Sequence, residues 1–195
     1  MKRKVSVKMT GHKNTSSTIN LLKVYGPAFS GFVAALFFDQ FTKYLAVFCL
    51  KDKPARPVID GVFEFRYLEN RGAAFGIMQN KQYIFVAGAV LICIVLLILY
   101  RRIPPAKKYI PLRICAVLLA AGAAGNMIDR IRFDYVIDFL YFRLIDFPIF
   151  NVADCYVVIS CIVFALLILF YYRDEDDFSF LRKKNGQEGK KKQDG

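Results

Sequence analysis

QYIFVAGAVLICIVLLILY, the run from Gln82 to Tyr100, is 19 residues long and carries no charge. As an α-helix rising about 1.5 Å per residue it nearly matches a hydrocarbon core of about 30 Å, so it is read as a membrane span. Three more candidates emerge on either side of it. Cys155–Tyr172 gives 18 uncharged residues rich in Ile, Leu, Val and Phe, ended by Arg173. Tyr109–Ile128 is apolar apart from Arg113 near its start, and its Ala120–Gly125 stretch (AAGAAG) has side chains small enough to let neighbouring helices approach closely. Pro27–Leu50 is also long enough to cross, although it carries Asp39, Gln40, Thr42 and Lys43 in its second half. A cleavable signal peptide would have a shorter apolar region without such a cluster, so this segment is expected as a retained helix.

The expectation is an all-α integral membrane protein with four transmembrane helices over about 27–50, 82–100, 109–128 and 154–172, forming a single domain over 27–172. Composition agrees: of 195 residues 56% are hydrophobic and the mean hydropathy is +0.35, too apolar for an ordinary soluble domain. The net charge of +12 would suggest nucleic acid in a soluble protein. Here the basic residues flank apolar spans, where they act as topology signals and contacts for anionic membrane lipid, so no nucleic-acid partner is expected. The five cysteines (Cys49, Cys93, Cys115, Cys155, Cys161) sit in apolar stretches at spacings that fit no zinc or disulfide framework and are read as small buried hydrophobes. The only histidine, His12, lies in a polar N-terminal segment. Ser-His or Cys-His nucleophiles and His-rich metal sites are therefore disfavoured, and any acid–base chemistry falls to carboxylates.

Charge counts orient the spans, because cytoplasmic segments carry the excess of Lys and Arg. Residues 1–25 hold six basic and no acidic residues, and 101–108 hold four and none. By contrast, 51–81 hold six basic and four acidic, and 129–151 three basic and four acidic. The expected orientation is N-in and C-in, with residues 1–26 a basic cytoplasmic tail and 173–195 a charged, poorly ordered cytoplasmic tail. In the outer segment, Val58, Phe63, Phe65 and Tyr67 interleave with Glu64, Arg66 and Glu69 near a period of two, so a short sheet or hairpin lying on the membrane is expected over 58–77.

This topology gathers the polar groups on one side. Asp39 and Lys43 share a helix face at i, i+4. Asn126, Asp129 and Arg130 fall at the outer end of the third span, Asn151 and Asp154 at the outer start of the fourth, Asp138 between them, and Asn70 and Arg71 in the outer loop. Ionisable groups in or beside spans are functional candidates because they are costly there. Each also has a structural reading. Asp39–Lys43 could be a buried ion pair, Asp129–Arg130 a helix-end pair, and Asn151 and Asp154 capping residues. Asp138, with two apolar neighbours on each side, needs a partner. Two carboxylates brought close at a partly dry interface cannot both ionise easily, which is the chemistry of an aspartic protease pair. The residues alone leave open which two aspartates meet. They also leave open an ion- or proton-coupled transporter, in which Asp39 and Lys43 would relay charge, and a scaffold without turnover.

At these residues the chain resembles lipoprotein signal peptidase, also called signal peptidase II. Five blocks carry the resemblance: Asp39–Lys43 (DQFTK), Asn70–Phe75 (NRGAAF), Gly125–Arg130 (GNMIDR), Val136–Phe139 (VIDF) and Phe147–Asp154 (FPIFNVAD). The resemblance implies an aspartic endopeptidase of the bacterial inner membrane, active at its outer, periplasmic face. It would remove signal peptides from prolipoproteins just before a cysteine carrying diacylglyceryl, as a monomer and without cofactor or metal. Its catalytic pair would be Asp138 and Asp154, with Asp129 the alternative member. Asp39, Lys43, Asn70, Arg71, Asn126, Asp129, Arg130 and Asn151 would support the pair or contact substrate, Arg130 through a lipid phosphate or a substrate carbonyl. The family's outer β-cradle would correspond to 58–77; the aromatic, glycine-containing composition of that segment leads to the separate expectation that it moves as a lid. Arg71 departs from the small or polar residue more usual at its place.

Overall fold

The computed structural model describes residues 12–72 and 81–181 of the chain. They form α1 (His12–Leu50), β1 (Arg56–Ile59), β2 (Phe63–Asn70), α2 (Gln82–Arg102), α3 (Ile110–Phe133), β3 (Val136–Tyr141) and α4 (Val152–Leu166). Four stretches, Lys23–Leu50, Gln82–Arg102, Lys107–Phe133 and Val152–Tyr171, are helical and apolar enough to cross a membrane. No side chain of α2 is buried against protein, and Leu91, Leu97 and Ile98 lie open. Such a surface is stable where the surroundings are themselves apolar.

The first helix begins well before Pro27, which lies inside it. Proline has no N–H to donate, so the carbonyl four residues earlier loses its helical partner there while the rest of the ladder continues. Close approach of α3 and α4 depends on the small-residue stretch. A methyl group at Gly122 would stand 2.6 Å from the Ala153 carbonyl oxygen and 2.9 Å from the Val157 side chain.

Sequence alternation anticipates strand β2; β1 begins at Arg56, ahead of the expected 58–77 segment, and is exposed along its whole length, and β3 is not anticipated. The sheet is antiparallel in the order β1-β2-β3. Strand β3 is drawn from the link between the third and fourth spans. It is hard to see in the sequence because Val136, Ile137, Asp138 and Phe139 are all buried, so no polar-apolar alternation marks it. Ile137 and Phe139 pack on Ala46 and Leu50 of α1, fastening the sheet to the end of that helix. Phe65 pairs with Leu140 and Leu68 with Asp138, so β2 has one extra residue there. This bulge bends β2 and brings its Asn70 end beside Asp138. Residues 73–77 of the expected cradle and lid lie outside the described residues.

At the opposite end of the bundle, the structure departs from the expected loose tail. Residues 175–181 form short 3-10 turns, and Phe178 and Phe180 pack against Tyr109, Tyr172, Ile103 and Leu112. Tyr109 and Tyr172 stack at 5.6 Å, Tyr109 Oη donates to the Asp177 carbonyl at 3.0 Å, and Lys108 forms an ion pair with buried Asp177. Two phenylalanines inside an acidic stretch supply the apolar area that its charges hide from a composition reading. Residues 182–195 lie outside the described residues. The cysteines are all free, but they are not uniformly buried: Cys115 is, whereas Cys161 lies open on α4. A thiol facing lipid needs no protein cover.

Candidate active site

Two groups of carboxylates occupy the sheet end of the bundle. The deeper one is centred on Lys43, which is 1% exposed. Its ammonium lies 3.0 Å from Asp39 Oδ2 and 3.0 Å from Asp129 Oδ2, and it donates to Asn126 Oδ1 at 2.9 Å. Asp39 Oδ1 also accepts the Ala153 N–H of α4 at 2.9 Å, and Asp129 Oδ2 accepts the Ile137 N–H of β3 at 3.2 Å. Gln40, noted in the sequence as a polar residue of the first span but given no role there, donates to Asp39, to Asp129 and to the Gly125 carbonyl. This node joins α1, α3, α4 and β3. Gly125 is required beside it, because a methyl group there would overlap the Asp39 carboxylate. Asp129 pairs with Lys43 and not, as a helix-end reading would have it, with Arg130. The side chain of Arg130 extends the other way, over the Phe85 ring at 4.6 Å.

The second group faces open space. Asp138 and Asp154 line a cavity of about 830 Å³, together with Asn70, Arg71, Asn126 and Arg130; Asp129 is not among its lining. Asp138 Oδ1 accepts from Asn151 Nδ2 at 2.6 Å and Oδ2 from Asn70 Nδ2 at 2.8 Å. Asp154 Oδ1 accepts from Asn126 Nδ2 at 2.8 Å, and Oδ2 from the Asn151 N–H at 3.1 Å. Asn151 returns the contact, its Oδ1 accepting the Asp154 N–H at 3.0 Å, so the two residues cap α4 reciprocally. The capping reading of Asn151 and the supporting reading both describe it, since Asn151 Nδ2 reaches Asp138 and Asn126 as well. Asn126 in turn links Lys43, Asn151 and Asp154. Neutral amides thus orient both cavity carboxylates without adding charge.

Burial pushes the Asp138 carboxyl up to about 7, helped by the charge of Asp154 and opposed by the hydrogen bonds from Asn70 and Asn151. Near neutral pH it therefore holds a proton for much of the time. Arg71 lies half-exposed at the cavity mouth, 3.4 Å from Glu69 and 5.1 Å from the Tyr135 ring. Glu69 also holds Lys51 at 3.0 Å, and that hydrogen bond keeps its carboxyl below the usual range. Glu69 lies in the segment whose alternation reads as strand, whereas nothing in the sequence marks Tyr135. The site can polarise a carbonyl with a protonated carboxyl and draw a proton from water with an ionised one.

Solved structures of similar fold include bacterial membrane enzymes. Two of them, each described as a bacterial membrane enzyme structure, superpose with TM-scores of 0.65 and 0.64 at 32% and 31% identity, covering 77% and 75% of this chain and 93% and 94% of theirs. The protein is accordingly of the class of multi-pass membrane enzymes. The model of the signal peptidase II family matches residues 32–170, and the chain belongs to that family. It is 42% identical over 136 residues to the lipoprotein signal peptidase of Caldanaerobacter subterraneus subsp. tengcongensis, covering 69% of this chain and 90% of that protein. The lipoprotein signal peptidase of Clostridioides difficile is 40% identical over 134 residues, covering 68% of this chain and 88% of that protein. The Streptococcus thermophilus protein of the same name is 37% identical over 144 residues, covering 74% and 91%.

Proposed function

We propose that the protein is a lipoprotein signal peptidase of the aspartic type, which removes the signal peptide from diacylglyceryl-modified prolipoproteins by cutting before the lipidated cysteine. The observation that carries the mechanism is the amide-bridged pair Asp138 and Asp154 on one cavity, beside a node in which Lys43 neutralises the other carboxylates. Asp138 holds the proton and donates it to the scissile carbonyl oxygen, while Asp154 takes a proton from water as the water oxygen attacks the carbonyl carbon. As the tetrahedral intermediate collapses, the C–N bond breaks and the proton on Asp154 passes to the leaving amine. The carbonyl oxygen returns its proton to Asp138, which closes the cycle. Arg130 and Arg71 lie where they would meet substrate carbonyls. Apolar Val158 and Ile159 of α4 line the same cavity and offer a surface for acyl chains.

The charge counts support an orientation with both termini in the cytoplasm and the cavity at the outer face of the inner membrane. The domain is the single unit of four spans and sheet, acting as a monomer without cofactor, and the substrate is reached through the lipid phase.

A gel-shift assay of the purified protein with a prolipoprotein, with and without diacylglyceryl, tests the reading. Cleavage of the lipidated form alone is expected. Equal cleavage of both forms would overturn the lipid requirement, and a well-folded protein that cuts neither in a lipid bilayer would overturn the function.

A further inference from the structure

A second cavity, of about 580 Å³, opens on the sheet and shares no lining residue with the first. It is walled by the link after α1 (Lys53), the β1–β2 turn (Asp60), β2 (Glu64, Arg66) and the segment after β3 (Arg143). Three cations face two carboxylates, which leaves one positive charge in excess. Glu64 is buried, its side chain 8% exposed, and meets Arg143 at 3.5 Å. Among the described residues neither Lys53 nor Arg66 reaches a carboxylate. The Lys53 ammonium donates to the Phe48 carbonyl at 3.1 Å, and the Arg66 guanidinium lies over the Tyr141 ring at 5.7 Å. Two cations held in place with donors to spare favour a phosphate oxygen, whereas a buried carboxylate beside them can accept from a hydroxyl.

The surroundings indicate where such a ligand comes from. Phe48, whose carbonyl anchors Lys53, is 71% exposed on the last turn of α1, a helix apolar enough to cross the membrane. Pro57 and Arg143, both in the cavity wall, are followed in sequence by the open aliphatic side chains Val58, Ile59, Leu144 and Ile145. A segment that exposes basic, tyrosine and aliphatic side chains together matches the headgroup level of a bilayer.

We propose that this cavity binds the phosphodiester headgroup of an anionic phospholipid, in the leaflet that meets the sheet. Lys53 and Arg66 hold the phosphate, Glu64 and Asp60 accept from headgroup hydroxyls, and the acyl chains lie along Val58, Leu144 and Ile145. The single excess positive charge selects a headgroup of net charge minus one, such as phosphatidylglycerol, over a zwitterionic one. The site does not depend on the peptidase reading.

The full-length protein, titrated in detergent micelles with phosphatidylglycerol or phosphatidylcholine, tests this by native mass spectrometry of retained lipid. Wild type should retain phosphatidylglycerol about tenfold more tightly than Lys53→Gln/Arg66→Gln, because two charge-assisted contacts are lost. Phosphatidylcholine carries the same phosphodiester but cancels its charge with its own ammonium, so wild type should retain it more weakly than phosphatidylglycerol, and excess inorganic phosphate should leave retention unchanged. The charge-keeping Lys53→Arg/Arg66→Lys should behave as wild type. Equal retention by wild type and the Gln variant overturns the proposal, and displacement by inorganic phosphate overturns the lipid as source. In wild type alone, phosphatidylglycerol with a photoactivatable headgroup should label peptides containing Lys53 or Arg143, and labelling confined to other segments overturns the site without any variant. Cleavage of lipidated substrate by the Gln variant should equal that of wild type, which separates this site from the catalytic cavity.

Discussion

The Lys43 node and the Asp138–Asp154 pair are built from the same residue types and joined through Asn126, yet their chemistry differs. In the node, one ammonium meets two carboxylates, and Asp39 and Asp129 each accept a further backbone N–H; these groups are at most 1% exposed. Every lone pair that matters is occupied, so the node is suited to hold helices together. In the pair, the partners are neutral amides and one side of each carboxylate looks into a cavity. On the proposed mechanism, what would separate a structural aspartate from a reactive one is the neighbour that neutralises it.

The largest expected effect tests the reactive side. Asp138→Asn and Asp154→Asn should each lower cleavage by about 10²–10⁴-fold, the span general acid–base catalysis supplies, with the protein still folded and membrane-inserted. A correctly inserted Asp138→Asn protein with full activity would remove Asp138 from the mechanism. The structural side should respond in the opposite sense. Lys43→Met leaves Asp39 and Asp129 buried without a cation and should destabilise by about 3–5 kcal/mol, read as a fall in thermal midpoint or in the folded fraction recovered from membranes. Gly125→Ala, which pushes the Asp39 carboxylate, should cost about 1–3 kcal/mol by the same measurement. If either change altered turnover with stability intact, the division between node and pair would be wrong.

The pH dependence sharpens the contrast. Asp138 has its folded-state pKa raised to about 7 from an ordinary 3.8. The folded protein therefore holds a proton that the unfolded chain has released between those values. Stability from this group is fully present below about 4 and is lost as pH rises toward about 7. A pH series of thermal midpoints should show a steeper slope in wild type than in Asp138→Asn, where position 138 has no proton to lose. Cleavage should also decline on the alkaline side of about 7 as Asp138 ionises. The smallest effect expected is that of Asn70→Ala. Removing a hydrogen bond that favours the ionised form should move that alkaline limb to higher pH.

How far the residues could be read in advance differs from one element to the next. Four spans follow from apolar runs of helix length, because transfer into hydrocarbon is a property of each segment by itself. The alternation over Val58–Tyr67 announces a strand facing two environments, whereas β3 lacks alternation because both its faces are covered. Phe178 and Phe180 fold the segment before Leu181 onto Tyr109 and Tyr172, against what its acidic residues suggest. Motif order marks Asp39, Lys43, Asn70, Asn126, Asp129, Asp138, Asn151 and Asp154 as a set, but spacing along the chain cannot sort them. Lys43 lies four residues from Asp39 and far along the chain from Asp129, and it binds both equally closely. The sequence by itself determined that this protein is a four-span membrane enzyme of a particular family, since hydropathy and short motifs are local. Which carboxylates are neutralised and which face a cavity was decided only by tertiary structure, because a carboxylate's protonation depends on the charges and amides that other elements bring within about 3 Å of it.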